Sequence, residues 1–373
     1  MNILLTNDAH RVAGGEKFVL YLARGLRDQG HQVIIAPREN SELAQLSGVE
    51  LFETIEVPYA VKFKEFGCAS LIVNRLRERG IDIVHTNSNI DRTVGALAAR
   101  KLGSRCVTSV HSCMSIQHNL THWIRNRFLI HHFLPVSHAS QQVLVNEDGI
   151  PPSKTTVVHN GIPRDSVAFS AELRTRIRAE FGYNDHHIVI GTLSRLTEFK
   201  GHTFLLRAVP KILHDQPRAR FLIVGDGELR ESLAAEARER GVANAVTFAG
   251  HRTEVSAILS ACDIFAQPSR DLGGESFPLS VIEALAVRLP VVASDVGDLG
   301  DMIRDGVNGF LIKPEDPDML STKILQLATD HELRHEMGNH SQEHFLRHLT
   351  LETLMEKMED VYHQVVRGTA QST

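Results

Sequence analysis

At 373 residues the chain is long for one hydrophobic core, and two domains are the default expectation. Its composition, 42% hydrophobic and 23% charged with a net charge of −5, excludes a disordered, fibrous or strongly basic nucleic-acid-binding protein. Residues 1–164 carry 18 basic and 14 acidic side chains and residues 165–373 carry 22 and 31. The first half thus suits an anionic partner such as a membrane surface, or its charge is accidental.

The opening residues 1–5 lack the basic start and long apolar stretch of a signal peptide, and no run is long enough to span a membrane. The cysteines at 68, 106, 113 and 262 form no CxxC pair and read as reduced thiols of a cytoplasmic protein. In chain order, residues 2–5 form a short apolar strand, followed by a loop from Asn7 to Gly15. Residues 16–29 carry Phe18, Leu22 and Leu26 at helical spacing and stop at Gly30. Further buried strands are expected at 33–35, 81–84, 106–110 and 133–136. The pattern restarts at 188–193, 221–224, 246–248, 264–266, 291–293 and 310–312, each run leading into helical sequence. Short β-rich runs separated by helices predict parallel sheets covered on both faces, hence two doubly wound α/β units. The turn-forming cluster Asn160-Gly161-Ile162-Pro163 sets the break, with domains at 1–164 and 165–350 and an amphipathic helix at about 351–366 beyond the last strand.

The motifs follow strand ends, where open α/β sheets bind ligands. Gly14-Gly15 before a helix allows backbone N–H groups to approach a phosphate, or makes a plain tight turn; it is not a dinucleotide fingerprint. His111 follows the strand at 106–110. Arg195 and Lys200, five apart in a loop ending at Gly201, suit a diphosphate leaving group, and equally a solvated surface pair. Gly225-Asp226-Gly227-Glu228 reads as a loop that shapes the site. The stretch from Glu275 to Glu283 is the most informative. Pro278 is expected to open a helix capped by Ser276, with Glu275 in the loop before it and Glu283 inside it. The free amides of that helix start suit phosphate, and two flanking carboxylates suit sugar and ribose hydroxyls. A capped helix with a solvent-facing glutamate is the plain alternative. Asp316-Pro317-Asp318 reads as a helix start, so no metal is expected. Residues 119–130 read as a helix mixing apolar positions (Leu120, Trp123, Ile124, Phe128, Ile130) with Arg125 and Arg127. That mixture suits a membrane surface, or packing on the first domain with the arginines in solvent.

Taken together, Gly14-Gly15-Glu16, His111, Asn160-Gly161-Ile162, Arg195 with Lys200-Gly201, Gly225-Asp226-Gly227-Glu228 and the Glu275…Glu283 pair resemble the retaining glycosyltransferases of family 4. The resemblance extends to the bacterial enzymes of lipopolysaccharide and cell-envelope synthesis. It implies a GT-B fold, two Rossmann-like domains facing across a cleft, with the C-terminal helix crossing back to the first. It implies a nucleotide-sugar donor (UDP favoured over GDP), a glycan or lipid-linked acceptor, and no cofactor or metal. It also implies a cytoplasmic enzyme, with the inner membrane face as a peripheral station. Carried over, Gly15, Arg195 and Lys200 bind the diphosphate, Glu275 binds donor-sugar hydroxyls, and amides near Phe277, Pro278 and Leu279 line the same pocket. Glu283 binds the ribose, and His111 lies beside the donor sugar. A GT-B sugar-nucleotide epimerase is the alternative; it turns over without an acceptor.

Overall fold

The computed structural model describes residues 1–59 and 64–368. The chain divides into two compact units, Met1–Asn160 with the C-terminal segment from Leu351, and Gly161–Thr350. The first unit holds a six-stranded sheet: β1 (Asn2–Asn7), β2 (Gln32–Pro37), β3 (Glu53–Thr54), β4 (Ile83–Thr86), β5 (Arg105–Val110) and β6 (His132–Pro135). Its order is β3-β2-β1-β4-β5-β6, every pairing parallel. The period-two rule is visible in β1: Ile3 and Leu5 join the core under the helix Gly14–Asp28, while Leu4 joins the core on the opposite face.

The strand expected at 81–84 is observed two residues later, at Ile83–Thr86. The apolar run ends at Val84, but the strand continues through His85 and Thr86, both fully buried. Each finds partners indoors. His85 Nδ1 lies 2.6 Å from Tyr362 Oη and its Nε2 2.8 Å from Ser109 Oγ, and Thr86 Oγ1 donates to Thr108 Oγ1 at 2.7 Å. The two-residue β3 was not expected, because Glu53-Thr54 carries no apolar pattern.

The last helix, Leu351–Arg367, belongs to the first unit. Its buried Leu354, Met355, Met358, Val361 and Tyr362 meet Phe18, Leu22 and Leu26 of the helix Gly14–Asp28. The amphipathic pattern of residues 351–366 is explained by that contact.

The second unit repeats the topology with β7 (Ile188–Leu193), β8 (Ala219–Val224), β9 (Val246–Gly250), β10 (Ile264–Gln267), β11 (Val291–Ser294) and β12 (Gly309–Ile312). The order β12-β11-β10-β7-β8-β9 is the same arrangement, again parallel throughout. In each sheet the direction of winding reverses between two adjacent strands, β1 and β4 in one and β7 and β10 in the other. Crevices beyond the carboxyl ends of such strands are where doubly wound sheets bind ligands. Asp316 caps the helix Pro317–Thr329 by accepting from the Met319 amide at 2.8 Å, so Asp316-Pro317-Asp318 is a helix start.

Candidate functional site

In the second unit the expected residues gather at the β7/β10 switch. The loop after β7 carries Arg195, then a single 3-10 turn Glu198–Lys200. Gly201 follows with φ +66°, and a Cβ there would lie 1.9 Å from the Pro268 carbonyl oxygen. Only glycine lets the Lys200 loop press against the loop after β10. Gly274 is needed in the same way, its missing Cβ replaced by the Phe199 ring. Gly225 and Gly227 admit the backbones of Ser194 and Leu196, so the Gly225–Glu228 loop braces the Arg195 segment.

These contacts bring Lys200 Nζ to 2.7 Å from Glu275 Oε2, in an ion pair with 12% and 5% of the side chains exposed. Two further donors, Gln267 Nε2 and Ser269 Oγ, reach the same oxygen, each at 2.7 Å. Sequence reasoning missed both residues. Their only signal was position, at the end of β10 and two residues beyond it. Arg195 is exposed, and its guanidinium has no hydrogen bond or ion pair among the described residues. It is available to an anion. His202 is buried, with Nε2 3.1 Å from Ser194 Oγ; burial, aided by Lys200, pushes its pKa down to about 3.

The helix Leu279–Ala286 begins one residue later than expected. Pro278 is its N-cap, with φ −72° and ψ 129°, and its own side chain makes no cap hydrogen bond. The first amides, those of Leu279 and Ser280, have no partner within the helix, as at every helix start, while Val281 N donates to the Pro278 carbonyl at 3.2 Å. Glu283 lies one turn inside and is 2% exposed, which overturns the solvent-facing alternative. Phe277 and Leu279 are buried as well.

Gly15 and His111 belong to the first unit. Gly14 and Gly15 are the first residues of the helix Gly14–Asp28, and a Cβ on either would meet no protein atom within 4 Å. Packing does not require these glycines. The helix start is tied down instead by Glu16, whose carboxylate accepts from the Ala13 amide at 2.8 Å and the Asn7 amide group at 3.1 Å. His111 stands just past β5, edge-on to Phe18 with ring centroids 4.9 Å apart. Its Nε2 is buried without a partner among the described residues, and burial, with Arg92 nearby, lowers its pKa to about 4. His111 is therefore neutral at pH 7.

Arg125 corrects the expectation of two solvent-facing arginines. It is 4% exposed and donates to Asn126 Oδ1, Thr93 Oγ1 and the Ile116 carbonyl. The segment is an α-helix only over Leu120–Ile124 and π-helical over Arg125–Leu129. Arg125 lies inward, while Leu120, Trp123, Ile124 and Phe128 are exposed with Arg127. Among the described residues no helix is long and apolar enough to cross a membrane.

Two doubly wound parallel sheets of this strand order are the two Rossmann-like domains of the GT-B class of fold. Residues 12–166 match the family model described as Glycosyltransferase Family 4, and residues 174–344 that of Glycosyl transferases group 1. The chain belongs to the family 4 glycosyltransferases. It is 28% identical over 347 residues (88% of this chain, 89% of the relative) to a GDP-mannose-dependent alpha-(1-6)-phosphatidylinositol monomannoside mannosyltransferase of Mycolicibacterium smegmatis. It is 25% identical over 309 residues (78% and 77%) to the UDP-Gal:alpha-D-GlcNAc-diphosphoundecaprenol alpha-1,3-galactosyltransferase of Escherichia coli. The crystal structure of HepE from Anabaena, in complex with UDP and glucose, has the same fold. Its TM-score is 0.86 at 21% identity, covering 98% of this chain and 100% of that one.

Proposed function

We propose that this glycosyltransferase moves a sugar, with retention of anomeric configuration and without a metal ion, from a nucleotide sugar to a glycan or lipid-linked acceptor. The lipopolysaccharide or another cell-envelope glycan is the destination. The observation that carries the reading is the grouping at the β7/β10 switch: the Lys200–Glu275 pair, the unpaired Arg195 guanidinium, and Glu283 one turn into the following helix. Arg195 and Lys200 neutralise the diphosphate as it departs. Lys200 has three N–H donors, so its bond to Glu275 leaves others for phosphate. Glu275 holds donor-sugar hydroxyls, the amides near Phe277, Pro278 and Leu279 line the sugar pocket, and Glu283 holds the ribose. His111 of the first unit is neutral and keeps a buried ring nitrogen with no partner among the described residues.

Oε2 of Glu275 already accepts from three donors, which makes it a poor nucleophile. Same-face substitution, with the departing phosphate drawing the acceptor proton, fits that geometry better than a glycosyl-enzyme. UDP is favoured as the carrier by the HepE complex, while the mannosyltransferase relative keeps GDP open. Both enzyme relatives act on lipid-linked substrates, in keeping with an exposed apolar strip beside Arg127 that would rest on an anionic membrane surface. The test is to incubate the protein with UDP-, GDP- and ADP-sugars in EDTA, with and without lipid-linked acceptors, and assign the product anomer by NMR. An α-linked product from an α-linked donor is expected. An inverted product, or donor isomerisation without acceptor, would overturn the reading.

A further inference from the structure

Gln267 ends β10 and Ser269 lies two residues on, both essentially without exposed surface. Neither has been given a part in the reaction. Gln267 Nε2 carries two protons. One is given to Ser269 Oγ at 3.0 Å and the other to Glu275 Oε2 at 2.7 Å. Ser269 has a single proton and donates it to the same Oε2 at 2.7 Å. The three side chains close a ring of hydrogen bonds in which every direction is determined. A flipped Gln267 amide would face its oxygen toward a carboxylate oxygen and a hydroxyl already committed as a donor. Lys200 Nζ, 2.7 Å away, is the third donor to the same carboxylate oxygen.

Such an arrangement does more than hold a loop. Gly201 pressed against Pro268 and Gly274 pressed against Phe199 already fix the loops by backbone and ring contact. The hydrogen-bond ring adds orientation: it locks the Glu275 carboxyl plane and keeps its charge in place. The Gln267 Oε1 is buried and has no partner among the described residues. A group of this kind is expensive to leave unsatisfied and is retained where something else meets it.

We infer that Gln267 and Ser269 are positioning residues for the donor sugar, acting through Glu275 by fixing its carboxylate for the sugar hydroxyls. The inference rests on the proposed role of Glu275. It separates binding of the sugar from binding of the nucleoside diphosphate, which Arg195 and Glu283 serve. A merely structural role would disturb both together.

The experiment compares Gln267→Met, Ser269→Ala and Glu275→Gln with the wild type. Steady-state kinetics use whichever nucleotide sugar the wild type turns over; calorimetry uses the matching free nucleoside diphosphate. The positioning role predicts kcat/KM with the full donor down about 10²-fold, as for a misplaced reacting geometry, in Gln267→Met and Ser269→Ala. It predicts nucleoside diphosphate affinity within about twofold of wild type, a difference near ~0.4 kcal/mol. Ser269→Thr, which keeps the hydroxyl, should recover most of the loss. Parallel losses of nucleoside diphosphate binding and turnover would mean a structural role and overturn the inference. Full activity in both variants while Glu275→Gln is inactive would overturn it too, leaving the Glu275 assignment intact. Full activity in Glu275→Gln itself would remove the reading on which the inference stands.

Discussion

At the residue scale the site is a contest for one carboxylate. Glu275 is buried, so its charge is tolerable only with the donors that surround it. Lys200→Ala removes the cation but leaves Gln267 and Ser269, so the cost in folding should stay at about 1–3 kcal/mol, read from urea unfolding. Its turnover should fall about 10²-fold, since a charged hydrogen bond to the donor of ~1.5–3 kcal/mol is lost as well. Glu283→Gln should keep the fold and lose turnover chiefly through a raised donor KM. Near-normal kinetics in both variants would remove these residues from the site. The Glu275…Glu283 spacing and the two cations were legible because charged residues after strand ends are conspicuous in sequence. Gln267 and Ser269 were not, since their importance lies in which atoms they face.

At the scale of elements, the strands were legible wherever burial coincided with apolar residues, and shifted or missed wherever it did not. β4 is the clearest case: its last two residues are polar yet fully buried, and their partners come from β5 and from the C-terminal helix more than 270 positions away. Tyr362→Phe would strand His85 Nδ1 and should cost about 1–3 kcal/mol in the first unit. Loss of less than a few tenths of that, by thermal or urea unfolding, would mean the hydrogen bond carries no weight. The segment after β5 failed differently. Its periodicity predicts one α-helix, whereas the winding becomes π-helical from Arg125 on and Arg125 is buried. Salt-sensitive co-sedimentation with anionic vesicles should therefore weaken in Arg127→Glu and in Trp123→Ser. Arg125→Glu is a folding test instead. Equal recovery of wild type and both surface variants on neutral and anionic vesicles would remove the membrane surface from the account.

At the scale of the whole molecule, two sheets of identical strand order follow from two runs of the same short-strand, helix alternation, which is why the fold class was readable without any repeat in the residues themselves. Acidification should weaken it. Burial lowers His85 and His202 to about 3, and His111, His131 and His132 to about 4, so the folded chain resists protonation that the unfolded chain accepts below about 6.5. As pH falls from about 6.5 toward 4, each such group takes stability away at up to ~1.4 kcal/mol per pH unit. Asp91, raised to about 6 chiefly by burial, works in the opposite sense below pH 6 but is a single group against several. Urea midpoints should accordingly drop between pH 7 and pH 5, and a flat profile would contradict the buried neutral histidines. The central claim is a metal-independent donor site in the second unit. The most direct measurement is calorimetric titration of UDP-, GDP- and ADP-sugars into the wild type and Glu283→Gln, all in excess EDTA. One nucleotide class should bind the wild type and bind the variant about tenfold or more weakly, as for loss of a charged hydrogen bond. Binding that appears only when Mg²⁺ or Mn²⁺ is restored, or that is equal in the two proteins, would contradict it.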